Sequence, residues 1–185
     1  MTAEDGIRDL VRSRGLGDGY RRQVSGDGVL RHVGPCQLQE TGEPAFALGD
    51  RLVSANAYIG VSAIVSALDA GADIVICGRA ADPALFLAPL VHHFKWAMDD
   101  WTRLGRGTLV GHLLECSAQV TGGYFADPGI KDVPDLTNIV FPLAEVDING
   151  HAVIPTVAGS GGGVTLATCT DRLLYEMHAP ARPLP

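Results

Sequence analysis

Basic residues are in short supply: 14 Lys and Arg stand against 21 Asp and Glu, a formal charge of −7 across 185 residues. Nucleic-acid binding needs concentrated positive charge, so nucleic acid and anionic membrane surfaces are excluded as main partners. The cluster Arg8, Arg12, Arg14, Arg21 and Arg22 is interspersed with acids and reads as a solvated face. The four cysteines, Cys36, Cys77, Cys116 and Cys169, form no C-x-x-C pair, which excludes a zinc knuckle or a thioredoxin-like motif and fits reduced thiols. No stretch reaches the roughly 18 apolar residues of a membrane span, and the polar opening Met1–Asp5 has no apolar signal region. The expectation is a cytoplasmic protein with no membrane partner. There is no internal repeat.

What is present is apolar residue, at 46%, enough for a folded core. Residues 4–14 could form a short helix, residues 15–28 read as loop, and residues 29–49 offer at most weak strands such as 45–48. Arg51–Ala55 then reads as a strand and Val61, Ile64, Val65 and Leu68 mark a helix stopped by Gly71. Asp73–Cys77 follows as a strand apolar enough for burial on both faces. The expected fold class is therefore α/β, a parallel β-α-β core with helices on its faces. A charge at Ile74 or Ile76 is predicted to be severely destabilising.

Ligands of open parallel sheets collect beyond the carboxyl ends of the strands, here Asn56-Ala57-Tyr58 and Gly78-Arg79-Ala80-Ala81-Asp82. An arginine after a buried strand must reach solvent or meet an anion, which singles out Arg79. Asp82 and Pro83 are placed to cap and open the next helix, with Leu85, Phe86, Leu90, Val91 and Phe94 as its apolar face and Pro89 as a kink. The two tryptophans of the following link, Trp96 and Trp101, read as packing anchors.

From Gly111 to Gly129 a helix with Leu109, Leu113, Cys116 and Val120 on its buried face leads into a glycine loop. His112, Glu115, Cys116 and Gln119 fall three or four residues apart and would share one surface. A metal held by His112, Glu115 and Asp127 is conceivable, but such common residues make a weak signal, and no metal is expected. Residues 139–146 read as a strand pair or bent strand. Asp147–Gly150 is an Asn-Gly hairpin turn before His151–Ile154, a smaller antiparallel element. The run Gly159-Ser160-Gly161-Gly162-Gly163 is expected to open a helix carrying Leu166, Ala167, Leu173, Leu174 and Met177 on its apolar side. Its bare N–H groups would form an anion-binding loop, although it matches neither the P-loop nor a full G-x-G-x-x-G. Residues 179–185 are a proline-rich tail.

Several of these stretches carry a resemblance. Ser54–Gly60, Ala70–Val75 with Gly78, Arg79 and Asp82, Gly111–Cys116, Gln119–Gly129, Lys131–Leu136 and Leu173–Glu176 resemble the acyclic terpene utilisation (AtuA-like) family. The likeness covers residues 48–178. Residues 1–47 look unlike the family's opening region, Pro155–Ala158 stands where members often carry a lysine, and members run on past the 173–176 helix. The chain thus reads as the family's central portion, completed by a partner chain or a second copy, or as a relic with little activity.

The resemblance implies an enzyme or subunit acting on acyl-coenzyme A thioesters in acyclic terpene and branched-acid breakdown, by hydratase or lyase chemistry. Coenzyme A would enter as part of the substrate, with no separate cofactor. Such chemistry needs a base at the α-carbon and a donor for the enolate-like oxygen. Glu115 is the candidate acid or base, with His112 orienting it or sharing its proton. Arg79 would hold an anionic group, and Asn56 and Gln119 would donate hydrogen bonds. Tyr58, Asp82, Thr121, Gly122, Gly123, Asp127 and Lys131, in the matched stretches, complete the expected substrate contacts. The alternative is a non-catalytic subunit or scaffold whose polar cluster is buried and fully bonded.

Overall fold

A computed structural model describes residues 7–9, as backbone only, and residues 20–175. They divide between His92 and His93 into two compact units, and the class is mixed α/β.

In the first unit, β1 (Ile7–Asp9), β2 (Arg21–Val24) and β3 (Ile74–Cys77) form one sheet in that order. β1 is antiparallel to β2, and β2 is parallel to β3 with Arg21 opposite Ile74 and Val24 opposite Cys77. Two expectations are corrected here. Residues 7–9 are strand where a helix was expected; the rest of 4–14, apart from these, lies outside the described residues. The first parallel strand is β2, within the stretch read as loop, and Arg51–Ala55 is not a strand. Instead Ala45–Arg51 is a 3-10 segment, and Val53 points to solvent. Arg21-Arg22-Gln23-Val24 has little apolar signal of its own, and its strand state comes from ladders on both sides. Its entry is pinned where Tyr20 N–H donates to Asp73 Oδ2 at 2.7 Å and Asp73 N–H donates to Tyr20 O at 2.8 Å.

Between the parallel strands runs α1 (Ser62–Asp69), ended by Gly71 at φ +84 as expected. Its Ile64 packs with Ala80, Ala84 and Ala88, flanked by Val61, Val65, Leu68 and Val75. Each large side chain removed from water here contributes roughly 1.5–3 kcal/mol. β3 is not buried on both faces: Ile76 is 52% exposed. α2 (Ala84–Phe94) runs through Pro89, and its buried face is Ala84, Leu87, Ala88 and Val91, so Leu85 faces outward against expectation.

The second unit is led by α3 (Trp101–Glu115). Asp100 caps it, accepting from Arg103 N–H at 3.1 Å, and Arg103 Nη1 returns to Asp100 Oδ2 at 2.8 Å. The buried face is Leu104, Gly107, Val110 and Gly111, small residues that allow close approach, whereas Leu109 is exposed. Trp96 is the packing anchor expected, stacked on Phe94 and donating Nε1–H to Ile148 O at 2.8 Å; Trp101, by contrast, is 76% exposed. β4 (Glu145–Val146) and β5 (Ala152–Val153) form the expected hairpin, although residues 139–144 are not strand. Asp147 Oδ1 accepts from Asn149 and His151 N–H across the turn, with Gly150 at φ +78. The His151 N–H, first, then its side chain and the Asn149 N–H hold the Asp147 carboxyl below its usual range.

α4 (Leu166–Tyr175) inverts its expected polarity. Thr168 and Arg172 are buried, whereas Leu166 and Leu174 are exposed. Thr165 and Thr168 cap it reciprocally, Thr165 N–H donating to Thr168 Oγ1 and Thr168 N–H to Thr165 Oγ1. The glycine run 159–163 therefore does not open this helix. Ser160, Gly161, Gly162 and Gly163 donate their N–H groups to Val157, Asn138, Pro134 and Thr121 carbonyls, so these four N–H groups are not bare as expected. No described helix is long and apolar enough to cross a membrane.

Candidate functional site

Three loops meet beyond the carboxyl ends of β2 and β3. After Val24 the chain passes through Ser25-Gly26-Asp27-Gly28; after Cys77 it passes through Gly78–Asp82; residues 55–59 lie between and are stitched to both. Val29 N–H donates to Ala55 O and Ala57 N–H to Asp27 O on one side. Ile59 N–H donates to Arg79 O and Ala81 N–H to Ile59 O on the other. Main-chain pairing thus fixes where Asn56, Tyr58 and Arg79 stand.

Asp27 closes the arrangement. Asn56 Nδ2 donates to its Oδ2 at 2.7 Å, and its carboxylate also accepts the Arg79 backbone N–H. That N–H, above all, with the Asn56 amide and the Arg79 charge, holds the Asp27 carboxyl below the usual carboxylate range against a partial desolvation. The carboxylate lies over Gly78, where any Cβ would run into it. The Arg79 guanidinium carbon lies over the Tyr58 ring, 5.5 Å from its centroid, and the group forms no ion pair among the described residues. Cys77, Gly78, Arg79, Ala80, Asp82 and Leu85 line an open cavity of about 350 Å³ there. Four expected residues, Asn56, Tyr58, Arg79 and Asp82, therefore stand on neighbouring loops, and two of them, Arg79 and Asp82, line this cavity. Asp27 was missed; its signal was an acid between two glycines directly after a strand.

The second polar cluster lies at the end of α3. The helix stops at Glu115, Ser117 takes φ +52, and Ser117–Gln119 is a separate 3-10 turn, so His112, Glu115, Cys116 and Gln119 do not share one continuous helix face. Glu115, its side chain 13% exposed, is ion-paired with Nη2 of Arg172, which is fully buried. Cys116 Sγ–H donates to the same oxygen, Oε1, at 3.1 Å. Arg172 was also missed, although a lone arginine within an apolar helical run was a visible clue. His112 is half-buried in the last turn of α3. Gln119 is buried at the end of the 3-10 turn.

The remaining expected contacts hold turns. Thr121 Oγ1 donates to Ala118 O at 2.9 Å and Val140 O at 3.2 Å; Gly122 and Gly123 N–H groups go to Gln119 and Ala118 carbonyls. Neither glycine donates to Glu115. Asp127 and Lys131 exchange two main-chain bonds, and Lys131 Nζ sits 4.9 Å from the Phe125 ring centroid. Among the described residues no three His, Cys, Asp or Glu side chains converge in a group able to hold a metal ion, so His112, Glu115 and Asp127 do not form one.

Comparison with curated proteins and with solved structures found no match. A family model does match, and it starts at residue 2, which corrects the expectation that residues 1–47 are foreign to the family. Matching residues 2–185 to the model described as "Acyclic terpene utilisation family protein AtuA", the chain belongs to that family, and with it to acyclic terpene utilisation.

Proposed function

We propose that the chain is an enzyme or enzyme subunit of acyclic terpene and branched-acid breakdown that binds an acyl-coenzyme A thioester, for hydratase or lyase chemistry, at the loops beyond β2 and β3. The supporting observation is Arg79: an exposed guanidinium over the Tyr58 ring, without an ion-pair partner among the described residues, in the lining of a cavity. An arginine in that state suits a phosphate or carboxylate of the ligand. Asp27 positions rather than reacts, because a carboxylate already accepting two hydrogen bonds and held at low pKa is a weak base near neutrality.

Glu115 and His112, of the second unit, are the candidates for acid–base work. The Glu115–Arg172 pair weighs on the other side, since a carboxylate neutralised by a buried guanidinium suits a structural role. That pair supports a second reading, a non-catalytic subunit. Incubation with a panel of branched enoyl and hydroxyacyl thioesters, read by mass spectrometry and by direct binding, separates the two. The enzyme reading expects turnover, with KM raised at least about tenfold in Arg79→Gln. Absence of turnover supports the second, and no binding at all refutes the first.

A further inference from the structure

In the second unit, α3 and the β4–β5 hairpin frame a cavity of their own. Arg106, Leu109, Val110 and Leu113 recur at three- and four-residue steps on α3, so they share one helix face. With Ala152 and Ile154 of the hairpin they line a cavity of about 300 Å³. The stem of Arg106 is pressed against the turn at Gly150, where an added Cβ would stand 3.1 Å from Arg106 Cβ and 3.4 Å from its Cδ. The head is tied to the same turn, Nη1–H donating to Asn149 O at 2.8 Å. Arg106 is thus held at both ends of its side chain.

Its other donors are open to a ligand. Nε and Nη2 donate to no described residue, and neither is among the side-chain nitrogens shut off from water. No carboxylate among the described residues pairs with the group. Arg103 has taken Asp100, and Asp147 accepts from the Asn149 and His151 N–H groups and faces the His151 ring. Nε–H and Nη2–H make up one edge of a guanidinium, the fork that receives both oxygens of a carboxylate. Around it the walls are aliphatic, and Leu109 is left 47% exposed. An unneutralised guanidinium beside aliphatic walls complements an aliphatic acid, whose head meets the fork and whose tail displaces water from the walls. A volume of about 300 Å³ stands at the lower end for ligand pockets, so the tail is short.

We propose that this cavity binds a short aliphatic carboxylate, its two oxygens accepting from Nε–H and Nη2–H of Arg106 and its chain lying against Leu109, Leu113 and Ile154. The site belongs wholly to the second unit and does not rest on the thioester reading. Hexanoate is the probe, with acetate as the head without the tail and hexanol as the tail without the charge. Titration of the full chain, followed by amide NMR shifts, should show saturable hexanoate binding that perturbs residues 106–113 and 150–154. Acetate and hexanol should each bind at least about tenfold more weakly. Arg106→Gln should weaken hexanoate at least about tenfold and leave hexanol unchanged, whereas Leu109→Ser, at a half-exposed position, should weaken both. Acetate or hexanol binding as tightly as hexanoate, shifts confined to other residues, no saturation, or full hexanoate affinity in Arg106→Gln overturns the proposal. Should Arg106→Gln not fold, the three-probe comparison on the unaltered protein decides.

Discussion

The Asp27 and Glu115 carboxylates are each anchored by an arginine, but in different dielectric settings. Asp27 takes an arginine's backbone N–H and an asparagine amide at a half-open surface, while the Arg79 side chain stays exposed to solvent. Glu115 takes the guanidinium itself, and Arg172 has no exposure at all. Water shares the work of solvating the first group and not the second. The loop site can therefore exchange partners at little cost, whereas the α3 site can exchange almost none, which is the division expected between a binding surface and a structural joint.

The largest effect should come from breaking the buried pair. Glu115→Gln takes a carboxylate away from a buried guanidinium and is expected to lower stability by about 3–5 kcal/mol in denaturant titration, while Glu115→Leu with Arg172→Met, which removes both charges, should recover most of it. A Glu115→Gln protein that melts normally but loses turnover would reverse the contrast and make Glu115 catalytic. Next is Gly78→Ala, whose Cβ displaces the Asp27 carboxylate from Asn56 and the Arg79 N–H. We expect a cost of about 1.5 kcal/mol with a clear loss of thioester affinity, and Asp27→Ala to share the affinity defect. Ile76→Asp should cost less than about 1 kcal/mol, a propensity-sized effect on an exposed strand position, contrary to the severe loss that the sequence implied. Smallest is a pH effect. Because the folded Asp27 pKa is depressed, its stabilisation is present above the unfolded value near 3.9 and disappears as pH falls through the folded value. The melting difference between the unaltered protein and Asp27→Asn should therefore shrink below about pH 4.

The same comparison shows what was legible in the sequence. Asn56, Tyr58, Arg79 and Asp82 were singled out by the rule that ligands gather beyond strand ends, and the structure brings them to such ends although the strand assigned before Asn56 does not exist. Residues 55–59 are bonded to the loops that follow the real strands, so they occupy the expected place without the expected support. The Asn-Gly hairpin and the Gly71 helix stop were legible because each depends on a few adjacent residues. Arg172 was not, since its partner lies 57 residues away and no local pattern encodes such a pairing. β2 was hidden for a related reason: polar residues become strand when neighbouring strands pair with them on both sides. The glycine run 159–163 misled in the opposite direction, because a local motif promised free N–H groups that distant carbonyls had already taken.

The two tryptophans give the second unit a built-in optical readout. Trp96 is buried, stacked at 5.6 Å on Phe94, and tethered through its indole N–H to Ile148 at the hairpin turn; Trp101 stands in water. Their fluorescence should accordingly separate into a blue-shifted, quencher-resistant component and a red-shifted component open to iodide. Trp101→Phe would leave an emission reporting solely on whether the 147–150 turn remains docked on Trp96, so the opening of that hairpin can be timed without attaching a label.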